Sequence, residues 1–195
     1  MLHLITDTTV QNRYSHTDLV VAAFEGGARY VQYRNKQFNR ARDLGSLKRV
    51  AALAARLGRI LIINDDATLA LEVGAQGVHL GLEDGSPQDA RKLLGPNAVI
   101  GATVHNHQEL EALQGMEIDY IGVGPVYGTR SKNTGLPDLG LENFKALSQA
   151  SPFPVVGIGG IDAENAMAVY QAGASGVAIL SAFCKAPEPS RFVKE

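Results

Sequence analysis

The sequence of 195 residues is short of the features that mark several protein classes. Its one cysteine, Cys184, excludes an intrachain disulfide framework and a cysteine-based zinc site, and suits a reducing compartment. Neither sign of charge is in excess. Eighteen basic against 20 acidic residues give a formal charge of −2, so the strongly basic footprint of a nucleic-acid binder is missing. No run approaches the roughly 18 apolar residues of a membrane span, and the apolar stretch in the opening MLHLITDTTVQN is too short for a signal-peptide core. These absences point to the cytosol, with no nucleic acid and no membrane as partner. What is present is enough to fold: 45% hydrophobic residues, 19% charged residues and 21 glycines spread along the chain. The length fits a single domain over residues 1–195.

Short aliphatic or β-branched runs alternate with helical patterns, the signature of a parallel sheet covered by helices. The strand candidates are Leu2–Thr6, Tyr30–Arg34, Ile60–Asn64, Gly77–Leu80, Val99–Thr103, Tyr120–Gly124, Val155–Ile158 and Gly176–Leu180. Their near-continuous apolar character is expected of strands buried on both faces. Helix starts are marked by Ser86-Pro87 with Asp89, by Asn106 with Glu109, and by Asp162 ahead of AENAMAVYQAG. Leu44, Leu47, Val50, Ala51, Ala54 and Leu57 form one apolar stripe, with Arg42, Lys48, Arg49 and Arg56 mostly off it. Glycine recurs ahead of several strands, in Gly26-Gly27-Ala28, Gly74-Ala75-Gln76-Gly77 and Gly173-Ala174-Ser175-Gly176, where it can end a helix in the left-handed conformation.

Eight βα units in this length point to a compact (β/α)8 TIM barrel with a short C-terminal helix, since Pro187 and Pro189 interrupt the tail. An open doubly wound sheet is the alternative. It would more naturally carry a glycine-rich phosphate loop after the first strand, and Leu4-Ile5-Thr6-Asp7 is followed by none.

A barrel carries its site at the carboxyl ends of its strands, where polar residues do gather in this sequence. Strand alternation lets Gln32, Arg34 and Lys36 face one way and Tyr33 the other, giving a doubly cationic wall for an anionic group and an amide for a heterocycle edge. The third strand runs into Asn64-Asp65-Asp66, and the fourth is soon followed by Glu83-Asp84. Carboxylates from these adjacent loops can share one Mg²⁺, a hard ion that also binds phosphate oxygens; for Asp66 and Glu83 helix capping or a solvated loop is the simpler role. His79, inside an apolar run, reads as a hydrogen-bonded core histidine or a base. His105 stands just beyond Thr103. The segment Gly124-Pro125-Val126-Tyr127-Gly128-Thr129-Arg130-Ser131-Lys132 brings hydroxyls and cations together in a loop able to close over an oxyanion. Gly159 and Gly160 after the seventh strand, with Leu180 and Ser181 ending the eighth, fit the late phosphate site of such barrels.

Through QYRNK, IINDD, GVHLGLED, IGATVHN, GVGPVYGTRSK, VVGIGGI and GVAILSA, in this order, the chain resembles the thiamine phosphate synthase family over nearly its whole length. The resemblance implies a (β/α)8 enzyme that joins a pyrimidine diphosphate to a thiazole phosphate. It implies Gln32 and Thr103 near the aminopyrimidine, and Arg34, Lys36, Asn64 and Lys132 on the diphosphate, so that Arg34, Lys36, Thr103 and Lys132 serve catalysis. Asp65 and Asp84 become the Mg²⁺ ligands, Thr129 and Ser131 belong to the closing loop, and Gly159, Gly160, Leu180 and Ser181 border the thiazole phosphate. A homodimer is implied as well, although no residue pattern identifies an interface.

The sequence departs from the family at Thr103, where serine is usual, at Asp66, where a basic or aromatic residue is usual, and at Gly128, where proline is common. The nearest rival is a thiazole tautomerase, which would keep the late phosphate site and use His105 for proton transfer. Other phosphate-sugar barrels share that late site but do not account for QYRNK with NDD. A non-catalytic thiamine-precursor binding protein is the non-enzyme alternative.

Overall fold

The computed structural model describes residues 1–128 and 137–194. Eight strands close into one parallel barrel: β1 (Leu2–Ile5), β2 (Tyr30–Tyr33), β3 (Ile60–Asn64), β4 (Gly77–Leu80), β5 (Val99–Val104), β6 (Tyr120–Val123), β7 (Val155–Ile158) and β8 (Gly176–Ile179). Each pairs with the next, and β8 returns to β1 with His3 opposite Ala178. The helices are α1 (His16–Gly26), α2 (Arg40–Arg56), α3 (Ala67–Val73), α4 (Pro87–Leu94), α5 (His107–Ala112), α6 (Gly140–Ala150), α7 (Ala166–Gln171), α8 (Ser181–Lys185) and α9 (Pro189–Phe192). The expected strand boundaries hold to within one residue.

Alternation along the strands sorts the barrel into two cores. Leu4, Val31, Tyr33, Leu61, Ile63 and Val78 join the large cluster that includes the buried residues of the helices. Ile5, Ile62, Tyr120, Val156 and Ala178 form a smaller cluster of their own. On α2, Leu47, Val50, Ala51 and Ala54 are buried as the stripe requires, whereas Leu57 falls at the helix cap and is exposed. Two glycines reserve space for larger neighbours. A Cβ on Gly101 would lie 2.3 Å from the Tyr120 ring, and one on Gly122 would lie 3.1 Å from His79.

Local signals behave as the chemistry of caps demands. Ser86 accepts from the Gln88 amide and Asn106 from the Glu109 amide, each satisfying a donor that the helix start leaves unpaired. Asp162 departs from expectation: it accepts from the amides of Glu164 and Asn165 in a preceding turn, and α7 begins only at Ala166. Gly27 and Gly74 end α1 and α3 in the left-handed conformation, which a side chain would strain. The last helical layer is short, with α8 and α9 spanning five and four residues. None of the described helices is long and apolar enough to cross a membrane.

Candidate active site

A cavity of about 620 Å³ opens among the strand ends and the βα loops. Its charged edge is built from β1 to β4. The strand-end turn after β1 delivers Asp7, whose side chain is only 2% exposed and forms an ion pair with Arg34 from the end of β2. Asp7 also accepts from the amide and hydroxyl of Thr9, at 2.8 and 2.6 Å, so the carboxylate is fixed from two sides. Beneath it, the Thr6 hydroxyl accepts from the Arg34 amide and lies 3.0 Å from Nδ1 of His16. With its Nε2 near the Thr8 hydroxyl, His16 is pushed down to about 4, burial outweighing the nearby charge of Asp7. The Arg34 guanidinium is thus held at the cavity wall rather than left as a loose surface cation.

Lys36 pairs with Asp65 at the rim, and Asp65 adjoins Asp84 from the next loop. Burial raises the Asp65 carboxyl, but bonding to Lys36 and Asp84 and the charges of Lys36 and Arg34 outweigh it and leave it lowered. Burial and the adjoining Asp65 raise Asp84, which also accepts from the Gly81 amide at 2.8 Å. Adjoining carboxylates disfavour each other's charge, and a cation shared between them would favour both charged forms. Asp65 is also the one described non-glycine residue with positive φ, at 70°, and its amide donates to the His79 carbonyl at 2.8 Å. That backbone is strained, and its strain lies at the acidic pair.

The floor is neutral. Gln32, His79, Thr103 and Tyr120 project from alternate positions of β2, β4, β5 and β6, beside Ile5, Val156 and Ile158. His79 lies 3.0 Å from the Tyr120 hydroxyl through Nδ1 and 3.0 Å from the Thr103 hydroxyl through Nε2. Lower still, His3 stacks on Tyr30 with ring centroids 4.8 Å apart and is pushed down to about 3, chiefly by burial.

The opposite edge relies on backbone. Gly159 and Gly160 both border the cavity with positive φ, of 100° and 64°. A Cβ on Gly159 would lie 2.6 Å from Pro125, and one on Gly160 would lie 2.7 Å from the Gly128 carbonyl. Only glycine fits both the conformation and the space. Leu180, Ser181 and Lys185 complete this edge.

Comparison with known proteins decides what this arrangement belongs to. The model of the thiamine monophosphate synthase family matches residues 2–183. The chain belongs to that family. A thiamine-phosphate synthase from Laribacter hongkongensis is 41% identical over 174 residues, covering 89% of this chain and 82% of that protein. A bifunctional thiamine biosynthesis protein of Symbiobacterium thermophilum is 44% identical over 172 residues, and this chain spans only 36% of its length. The thiamine phosphate pyrophosphorylase of Pyrococcus furiosus superposes with a TM-score of 0.85 at 30% identity, covering 99% of this chain and 91% of that one. As a member of the thiamine monophosphate synthase family, the chain is a transferase of thiamine biosynthesis with thiamine-phosphate synthase activity.

Within this family member, the cavity gathers Gln32, Arg34, Asn64, Asp65, Thr103, Gly159, Gly160, Leu180 and Ser181 of the residues expected from sequence. Lys36 and Asp84 stand at the rim and reach the site through Asp65. Thr129, Ser131 and Lys132 lie outside the described residues. Asp66 caps α3 by accepting from the Leu69 amide at 2.8 Å, so its departure from the family pattern serves a helix start. His105 borders the cavity with Nδ1 3.0 Å from Glu109. Cys184 is buried, donates to the Ile5 carbonyl at 3.2 Å and is pushed up to about 12 by that burial, which removes it from nucleophilic chemistry. Sequence reasoning missed Asp7, Tyr120 and Lys185. Asp7 had a readable signal, since adjacent parallel strands bring an acid after β1 and a cation after β2 to the same end of the barrel.

Proposed function

We propose that the protein joins 4-amino-5-hydroxymethyl-2-methylpyrimidine diphosphate to 4-methyl-5-(2-phosphoethyl)thiazole, releasing diphosphate, with Mg²⁺ held by Asp65 and Asp84. The observation that carries this reading is the division of one cavity into a charged edge, a neutral polar floor and a glycine edge. Such a division suits a diphosphate, a heteroaromatic ring and a monophosphate in turn.

The carboxylate pair suits the ion by its chemistry. Asp65 and Asp84 are hard oxygen donors on adjacent loops, and among the described residues no third His, Cys, Asp or Glu gathers with them. A site with two carboxylates, completed by water and substrate oxygens, is the usual habit of Mg²⁺. Bound there, the ion would neutralise charge on the departing diphosphate.

The chain's own residues do the rest. Arg34, Lys36, Asn64 and Lys132 bind the diphosphate as the bond from the pyrimidine methylene to oxygen breaks and its electron pair leaves with oxygen. The aminopyrimidine ring spreads the positive charge left on the methylene, and the thiazole nitrogen lone pair then forms the new carbon–nitrogen bond. This route needs neutralisation of the leaving group and alignment of two rings more than a general base. Gln32 and Thr103 orient the pyrimidine. Gly159, Gly160, Leu180 and Ser181 hold the thiazole phosphate, and Thr129 and Ser131 belong to the loop that closes the site. A homodimer in the cytosol is part of the same reading, supported by the resemblance and by composition.

The test supplies both substrates with and without Mg²⁺ and follows thiamine phosphate as fluorescent thiochrome, beside an Asp65→Asn control. Metal-dependent product that falls about 100-fold or more in the variant is expected. Folded protein that binds either substrate and makes no product would sink the synthase reading. A proton-exchange reaction on the thiazole, lost in His105→Ala, would then favour the tautomerase, and binding without turnover the non-catalytic binder.

A further inference from the structure

Arg34 borders the cavity and Asp7 stands behind it, their side chains 12% and 2% exposed. The two oxygens of Asp7 have separate partners. Oδ1 accepts from the amide and the hydroxyl of Thr9, at 2.8 and 2.6 Å, and Oδ2 accepts from the Arg34 guanidinium. The residues on either side of Asp7 are fastened by one ring, since Nδ1 of His16 lies 3.0 Å from the Thr6 hydroxyl and Nε2 lies 3.1 Å from the Thr8 hydroxyl. The Thr6 amide donates to the Gln32 carbonyl at 2.9 Å, and the Thr6 hydroxyl accepts from the Arg34 amide at 3.1 Å. Backbone and side chain of Arg34 are therefore both tied to the turn after β1.

A buried ion pair is a poor source of stability, because desolvating both charges offsets most of their attraction. It is a good way to fix a guanidinium, whose planar fork sets the direction of the remaining N–H groups once one nitrogen is held. On a bound diphosphate the Asp7 carboxylate acts in two opposed senses. Its charge weakens the pull of Arg34 on the anion, whether or not the bond to the methylene has begun to break. Its hold on the guanidinium aligns donors with the oxygen that gains charge as that bond breaks, so this effect is realised mainly in the transition state. Only the second sense raises the rate of the chemical step.

We propose that Asp7 is a positioning residue, which holds Arg34 in the orientation that meets the departing diphosphate and in doing so weakens diphosphate binding before the bond breaks. The proposal rests on Arg34 as a diphosphate ligand, as read in the preceding section, and adds that its alignment is set by a carboxylate outside the cavity.

The test measures rate and affinity apart. Single-turnover rates, with enzyme in excess over the pyrimidine diphosphate and with thiazole phosphate and Mg²⁺ saturating, report the chemical step free of product release. Calorimetric dissociation constants for inorganic diphosphate with Mg²⁺ report affinity without the chemistry, and Tm is followed beside them. Asp7→Asn removes the charge and keeps the shape. Its rate is expected to fall about 10-fold to 100-fold, while inorganic diphosphate binds as tightly as in the wild type or up to about threefold more tightly. Asp7→Glu keeps a charge to pair with Arg34, and so should retain Tm, but displaces the carboxylate by one methylene. A rate loss of about 10-fold is expected there, with diphosphate affinity within about twofold of the wild type. Rates unchanged in both variants would overturn the proposal, as would diphosphate affinity weakened in proportion to the rate, which is the result of a merely loosened turn. If Arg34→Ala leaves diphosphate affinity unchanged, the diphosphate role of Arg34 falls and the proposal with it, while synthase turnover stands. A wild type without turnover removes the synthase reading itself, and the proposal with it.

Discussion

The two edges of the barrel mouth prepare for oxyanions by different physics. Along β1 to β4 the work falls to charged side chains, each held by a partner: Arg34 by Asp7, Lys36 by Asp65. After β7 it falls to Gly159 and Gly160, whose positive φ and close neighbours fix the backbone itself. The first kind of site is tuned by charge and tolerates substitution that keeps charge and reach. The second tolerates almost nothing, because its specificity is the absence of an atom.

The largest effect should come from breaking the charged edge at Arg34. Arg34→Ala is expected to lower kcat/KM by about 1000-fold, measured by the thiochrome assay. It also strands a buried carboxylate, and removing one partner of a buried pair costs about 3–5 kcal/mol. Adding Asp7→Asn should recover much of the lost Tm and none of the activity, which separates the structural from the chemical role of the pair. Next in size is the glycine edge. Gly159→Ala forces φ of 100° on a residue that resists it and meets Pro125 at 2.6 Å. The expected result is a rise of about 10-fold to 100-fold in KM for the thiazole phosphate, with KM for the pyrimidine diphosphate changed far less. Equal rises would erase the distinction between the two edges.

The smallest effect concerns the neutral ground between them. Burial lowers His3 to about 3 and His16 to about 4, from 6.5 in each case. Below pH 6.5 the unfolded chain therefore takes up protons that the folded chain refuses. Stability contributed by the neutral rings is present above pH 6.5 and is lost as pH falls toward about 4 and then about 3. His3→Phe, which preserves the stack on Tyr30, should flatten this slope in denaturant titrations across pH 7 to 4. A slope unchanged in the variant would remove His3 from the account.

The barrel was legible because each of its units repeats the same local chemistry: an apolar run, a capped helix start, a glycine turn. Gly27 and Gly74 take up the left-handed conformation that their place ahead of a strand suggested. Alternation likewise placed Gln32 and Arg34 on the cavity and Tyr33 against the outer helices. What escaped were relations across the barrel. Nothing near Tyr120 in the chain announces His79, 41 residues away, or a glycine at 101 cut to fit its ring. Asp162 misled for a local reason, since a residue that can cap a helix can equally close a turn before one.

The fit of Tyr120 against Gly101 constrains the order in which this pocket can change. Alanine at 101 is blocked while the tyrosine remains, because the new carbon would lie 2.3 Å from its ring. A smaller residue at 120 meets no such barrier and leaves room where the ring packs against His3 and His79. Any lineage, natural or engineered, that enlarges the floor to take a bulkier ring must therefore pass through position 120 first, and only then is position 101 free to drift. Once 101 has acquired a side chain, the route back to tyrosine is closed.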